Sequence, residues 1–284
     1  MDITRREALS GGLIIAGAAV KTAAGTPNRH RVLLGSNRGV FARFNAAMPA
    51  GILRACRVYY DTVNQFPTAW PNKLPGACLT LSLRPNPSDL LSGRLDTKLR
   101  AIIDSAPAHS QLTFWHENEP GNPLRYPRSV CNATTAVEMQ KYGQHLCTGT
   151  QVRFGVIICA PAIQIESWIA SKLDWYGIDQ YLFNPKYVLN DRVDVKKLYR
   201  HLANQKSVFQ HKSGLKNPQM VFPETNAIPA EHQMTWFTVM AEWAAANDGH
   251  RLETFWDGKQ GLSGTWPPSR GVIDRLRYLS HLYR

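Results

Sequence analysis

A single (β/α)8 TIM barrel, an α/β fold, is what this 284-residue sequence predicts. Three observations predict it. Eight strand-length apolar runs recur from residue 31 onward, amphipathic segments lie between most of them, and no shift of composition divides the chain. Alternating strands and helices imply a parallel sheet, and eight repeats favour closing it, which leaves no exposed sheet edge. An open doubly wound sheet is disfavoured, because the turn "LLGSNRG" after the first run lacks GxGxxG and no P-loop follows elsewhere.

The first 24 residues read as a separate unit. Thr4-Arg5-Arg6 and Leu9 match the core of a twin-arginine export signal, a weakly apolar run extends to Val20, and Thr22-Ala23-Ala24 offers small residues before a cut. The run is too short and too rich in Gly and Ala to span a bilayer. The expected organisation is therefore a signal peptide over 1–24 and one barrel domain over 25–284. The mature chain would be secreted or held at the cell wall, without membrane insertion.

The expected strands are 31–36, 56–61, 77–83, 111–117, 152–160, 173–181, 219–224 and 252–257, each bounded by Gly, Pro, Asn or Asp. Between them "SGRLDTKLRAIIDSAP" sets Leu95, Leu99 and Ile102-Ile103 on one helical face and stops at Pro107. Further helices are expected over 135–146 after Thr134, over 193–205 with Asn190-Asp191 as candidate caps, over 230–248 ending at Gly249, and over 269–283. The segment 63–76 carries three prolines and cannot form a regular helix.

Five cysteines without a CxxC pair argue against a structural zinc site and a disulfide scaffold. Cys56, Cys78 and Cys159 sit in apolar runs as buried thiols, whereas Cys131 and Cys147 are candidates to pair after export. The net charge of +12 gives a surface attracted to acidic wall polymers. The basic residues are not interleaved with aromatics in a groove pattern, so nucleic acid is not an expected partner.

Barrel chemistry sits where strands end. The second run ends at Asp61 and carries Arg57, the fourth ends in "HENEP" with Glu117 and Glu119, the seventh ends at Glu224, and the eighth at Trp256-Asp257. Acids ending strands four and seven are what a retaining glycosidase requires: one carboxyl protonates the leaving oxygen and the other attacks the anomeric carbon. Glu117 and Glu119 share strand parity, so parity does not choose between them. "HENEP" is not a zinc-peptidase motif, since Pro120 stands in place of the second histidine, and no GxSxG turn supports a serine hydrolase. No metal and no cofactor is expected. Arg57 is either a hydrogen-bond donor to the nucleophile or part of a barrel salt bridge. Tyr181 is a candidate donor to the nucleophile, Trp256 a candidate sugar-stacking floor, and His116 and Asn118 candidate contacts to substrate hydroxyls. Trp115 and Trp175 are core or rim aromatics.

"LTFWHENEP", "SLRPNPSDLLSGRLD", "LDWYGIDQY" and "PETNAIPAEHQMTWF" continuing to "LETFWDG" resemble, in order and spacing, landmarks of the family 26 glycoside hydrolases and their actinobacterial relatives. The resemblance covers most of residues 31–284. It implies that Glu117, preceded by His116, is the acid/base and Glu224 the nucleophile of a retaining, endo-acting enzyme. A β-1,4-linked glycan such as mannan would be its substrate. The wider clan writes its acid/base as Asn-Glu-Pro, which fits Asn118-Glu119-Pro120 and keeps Glu119 as the alternative. A barrel that binds glycan or wall polymer without cutting it is the competing expectation, because the fold survives loss of chemistry.

Overall fold

The computed structural model describes residues 33–37, 54–71, 78–117, 131–159, 164–182, 187–190, 192–227, 230–247, 249–254, 256–257, 264–265 and 269–282. The expected signal segment lies outside them, and among them no helix is long and apolar enough to cross a membrane.

Eight strands close into one parallel barrel: β1 (Leu33–Asn37), β2 (Ala55–Tyr60), β3 (Cys78–Leu83), β4 (Gln111–Phe114), β5 (Arg153–Ile158), β6 (Trp175–Leu182), β7 (Met220–Ala227) and β8 (Gly249–Thr254). Each pairs with its neighbours in the chain, and β8 returns to β1, with Leu34 opposite Leu252. The expected fold class is therefore the observed one. Period-two alternation sorts the side chains. Leu79, Leu81, Leu83, Leu112 and Phe114 join Leu99 and Ile102 in the main core, on the helix side. Arg57, Thr80, Ser82, Gln111, Thr113 and Asp179 are the buried polar residues at the alternate positions. These line the lumen, since Arg57 on β2 bonds Asp179 on β6, diametrically across the ring.

Ile157, Trp175 and Val221 form a separate apolar cluster on the β5–β7 side of the lumen. Gly155 makes room for it: a Cβ there would lie 2.2 Å from the Trp175 ring. On the outer side Gly143 of α3 (Ala133–Cys147) does the same for Phe154, whose ring would stand 2.2 Å from an added Cβ. Phe154 in turn meets Phe114 edge-on at 5.0 Å.

The other helices are α1 (Pro87–Leu91), α2 (Asp96–Asp104), α4 (Val195–Ser213), α5 (Gln233–Ala246) and α6 (Arg270–Leu282). Several boundaries correct the sequence reading. Asn132, not Thr134, caps α3, its side chain accepting from the Thr135 amide. Asp194, not Asn190 or Asp191, caps α4 through the Lys197 amide, and α4 runs eight residues beyond Gln205 to stop at Gly214. Gly249 opens β8 and caps nothing; α5 ends at Ala246. Propensity located these helices, but which nearby polar side chain closes the first turn depends on where the chain leaves the sheet.

Among the described residues, no α-helix follows β2 or β5. After β2 there is only a 3₁₀ turn, 63–65, as the three prolines require. After β5 a second 3₁₀ turn, 166–168, replaces the helix and is held by one side chain. The buried Gln140 of α3 donates Nε2–H to the Trp168 carbonyl at 2.8 Å and accepts the Ala170 amide on Oε1 at 2.8 Å. Gln140→Ala should strand both backbone groups, at roughly 1–3 kcal/mol each. Chemical unfolding should show a stability loss in that range, with the midpoint shifted and the slope unchanged.

No disulfide joins Cys131 to Cys147 in the structure. Each is buried in the main core, facing apolar neighbours. Cys159 is exposed, against the expectation of burial, because β5 ends one residue earlier at Ile158. Burial pushes the Cys147 thiol and the Tyr176 and Tyr187 hydroxyls up to about 12. Above about pH 9 the unfolded chain releases these protons while the folded chain retains them. Stability should therefore fall from about pH 9 upward, and thermal melts across pH 8–11 check this.

Candidate active site

All barrel strands are parallel, so their C-terminal ends share one rim, and β4 reaches it in an unusual conformation. The expected strand 111–117 stops at Phe114. Trp115 and Glu117 then adopt left-handed backbone, φ 52° and 51°. The hydrogen bonding changes sides at the same place. The Trp115 amide donates to Leu83 of β3, as the alternation of β4 requires, but the Glu117 amide donates to Ile157 of β5 at 2.7 Å. A strand cannot keep its parity across such a switch, so the count by twos from Gln111 does not carry through to Glu117. Left-handed backbone is unfavourable for a bulky residue and persists only where surroundings enforce it. Here Trp115 is buried and its indole N–H donates to the Pro85 carbonyl at 2.6 Å. This anchor turns the chain so that Glu117 leaves the strand half-buried at the rim. Asn118 and Glu119 lie outside the described residues.

Beneath the rim the lumen holds an ion pair. Arg57 Nη1 faces both carboxylate oxygens of Asp179, at 3.0 and 3.2 Å, and Nε donates to Ser82 Oγ at 3.3 Å. Both charged side chains have 0% exposure, so of the two roles expected for Arg57 the barrel salt bridge is made. Removing two charges from water is costly, and such a pair holds only because attraction in a low dielectric and the extra hydrogen bond compensate. The guanidinium also lies over the Tyr59 ring, 4.6 Å from its centroid.

Tyr59 carries the contact outward to His116, whose ring meets it edge-on at 5.1 Å. His116 is buried, and its Nε2 lies 3.2 Å from Nη2 of Arg84, which pairs with the exposed Asp61 at 3.1 Å. Arginine only donates, so a hydrogen bond in this contact requires Nε2 to accept, which is the tautomer with its proton on Nδ1. The line Asp179, Arg57, Tyr59, His116, Arg84 thus ties the lumen to the residue preceding Glu117.

Glu224 does not end its strand, as expected, but lies inside β7 in register with Asp179 of β6. The register shifts between Gly177 and Asp179, which is a bulge in β7. Val221 lies on the lumen side before it, while Thr225 beyond it accepts from Trp236 of α5 at 2.9 Å and so lies on the helix side. Tyr181 is in β6, in register with Asn226. Trp256 is not on a barrel strand: β8 ends at Thr254, and Trp256–Asp257 pairs with Gly264–Thr265 in a separate ribbon. The side chains of Glu224, Tyr181 and Trp256 are not among those described.

Asp179, Tyr59, Ser82 and Arg84 escaped the sequence reading. One signal was present: Arg57 at an inward position of a strand needs an acid at another inward position, and Asp179 alternates with Trp175 and Gly177. Tyr59 and Arg84 become significant only through contacts made across strands.

No family profile and no curated protein matches the chain by sequence. Solved structures share its fold. It superposes on a GH26 β-mannanase from Bacteroides ovatus with a TM-score of 0.57 at 12% identity, covering 88% of each chain. For Thermotoga maritima Cel5A in complex with mannotriose the TM-score is 0.55 at 10% identity, covering 88% of this chain and 98% of that one. A GH128 endo-β-1,3-glucanase from Amycolatopsis mediterranei, in complex with laminaripentaose, gives 0.54 at 10%, covering 87% and 98%.

Proposed function

We propose that this protein is an exported, retaining, endo-acting glycoside hydrolase of a polysaccharide, with Glu224 as nucleophile and Glu117 as acid/base. Two features support the reading and carry it: an acid where β4 leaves the barrel in left-handed backbone, and an acid in β7 whose backbone is in register with Asp179. The fold is shared with enzymes named for β-linked mannans and glucans, which supports the same substrate class here, with a β-1,4-linked mannan as the first candidate.

In this reading the Glu224 carboxylate attacks the anomeric carbon while Glu117 gives its proton to the departing glycosidic oxygen. A covalent glycosyl-enzyme results. Water then attacks the same carbon, Glu117 takes its proton, and the sugar leaves with its configuration retained. The two carboxyl groups should stand about 5 Å apart. Arg57 spends Nη1 and Nε on Asp179 and Ser82, and its Nη2 edge is the donor that would keep Glu224 ionised. Tyr181 would donate to the same carboxylate, His116 and Asn118 would contact substrate hydroxyls, and Trp256 would stack on a sugar ring. Glu119 is the alternative acid/base.

The test is reducing-end release by residues 25–284 on a panel of soluble β-linked polysaccharides, beside Glu224→Gln. Release that is lost in the variant is expected. A folded chain that binds these glycans and releases no ends would establish the binding barrel in its place.

A further inference from the structure

α4 is a cationic helix. Its 19 residues include Lys196, Lys197, Arg200, Lys206 and Lys212, together with His201 and His211, and no Asp or Glu. Its cap Asp194 places a carboxylate at the N-terminal end, where it accepts from the Lys197 amide. At the C-terminal end Glu166 lies near His211 and Lys212. Lys196, Lys197 and Arg200 are exposed, as is Arg192 in the short hairpin leading into the helix, and none of the four makes an ion pair among the described residues. Because α4 follows β6 in a parallel barrel, this end of the helix stands at the same rim as Glu117.

The placement works against the fold. Lys196 and Lys197 occupy the second and third helical positions, where the macrodipole favours anions, and Lys196 and Arg200 are like charges one turn apart. A sequence selected only for helix stability would carry acids here, so the cations point to a ligand of opposite sign. The buried face of α4, with Leu198, Leu202 and Phe209, is committed to the core, and the exposed Leu189, opposite Arg192 in the hairpin, is one side chain rather than the apolar face with which a helix enters a lipid surface. Tyr199 turns its hydroxyl toward the Val239 carbonyl of α5, so no described aromatic stands among these cations to stack a base.

We propose that the first two turns of α4, with Arg192, form a rim ledge that binds a polyanionic glycan, one bearing carboxylates or phosphodiesters along its chain. This rests on the polysaccharide reading of the rim and specifies the charge of the polymer. Neutral and anionic glycans would share the cleft, and the ledge would favour the anionic one.

The experiment compares binding of residues 25–284 to polygalacturonate, to poly(glycerol phosphate), to a neutral galactomannan and to duplex DNA, at about 50 and 300 mM salt. It is repeated with the triple variant Lys196→Glu/Lys197→Glu/Arg200→Glu. Tighter binding of one or both anionic polymers than of galactomannan is expected, weakened by salt and by about 10- to 100-fold in the variant. The variant should melt no lower than the parent, because acids suit a helix N-terminus. That separates lost binding from lost folding. Equal binding by parent and variant, equal affinity for the neutral polymer, or tighter binding of DNA overturns the proposal. Binding is read without turnover, so a chain that binds polygalacturonate and cuts no glycan would keep the ledge and end the hydrolase reading.

Discussion

Glu224→Gln is expected to lower glycan cleavage by on the order of 10⁴- to 10⁶-fold, the scale seen when a hydrolase loses its covalent nucleophile. The amide is nearly isosteric, so folding and glycan binding should persist. Glu117→Gln should behave differently. Loss of an acid/base costs about 10²- to 10⁴-fold on a natural glycan, whose leaving oxygen must be protonated as it departs. On an aryl glycoside with an acidic phenol the first step needs little protonation, and the loss should shrink. Glu119→Gln, measured on the same two substrates, decides between the two acids: whichever variant shows the leaving-group dependence is the acid/base. If neither variant shows it, the assignment to β4 fails.

Asp179→Asn is expected to destabilise the protein by about 3–5 kcal/mol, the cost of leaving one partner of a buried ion pair uncompensated. For a domain of this size that is roughly 6–20 °C in melting temperature. Both carboxylate oxygens face Arg57 Nη1, and both side chains are without exposed surface. Arg57→Leu should cost a similar amount by stranding Asp179. The double variant Arg57→Leu/Asp179→Leu should be more stable than either single one, because it removes both desolvation costs together. Additive losses would mean that the two charges do not act as a pair. A stable Asp179→Asn protein with reduced turnover would mean that the pair serves position 224 more than the fold.

Eight runs of apolar residues were enough to read the barrel, because a buried parallel strand must be apolar on its helix-facing side and its ends must be closed by turn residues. Which side chains face the lumen was not read: Thr80, Ser82, Gln111 and Thr113 are buried polar residues alternating with the core leucines, and this became plain only once the strands were placed in the barrel. Helix existence was legible, from the spacing of Leu99, Ile102 and Ile103 or of Trp236, Met240 and Trp243. Caps were not. Asn132 and Asp194 were chosen over neighbouring candidates by where the preceding segment leaves the sheet.

The rim was least legible where it bears on chemistry. Counting by twos from Gln111 gave Glu117 and Glu119 one face, but that rule assumes extended backbone, and Trp115 and Glu117 are left-handed. What enforces the turn is the bond from the Trp115 indole to the Pro85 carbonyl, thirty residues away. The bulge in β7 follows the same logic, since it becomes visible only in the register with β6.

By itself, then, the sequence determined the fold class, the helix and strand content, the cationic character of α4 and the acids available at strand ends. These depend on local periodicity and composition, which the chain carries with it. Tertiary structure alone decided that Arg57 neutralises Asp179, that His116 meets Arg84, and that position 224 stands in register with Asp179. Those outcomes depend on register and on contacts across the barrel, where a single shifted residue exchanges one face for the other.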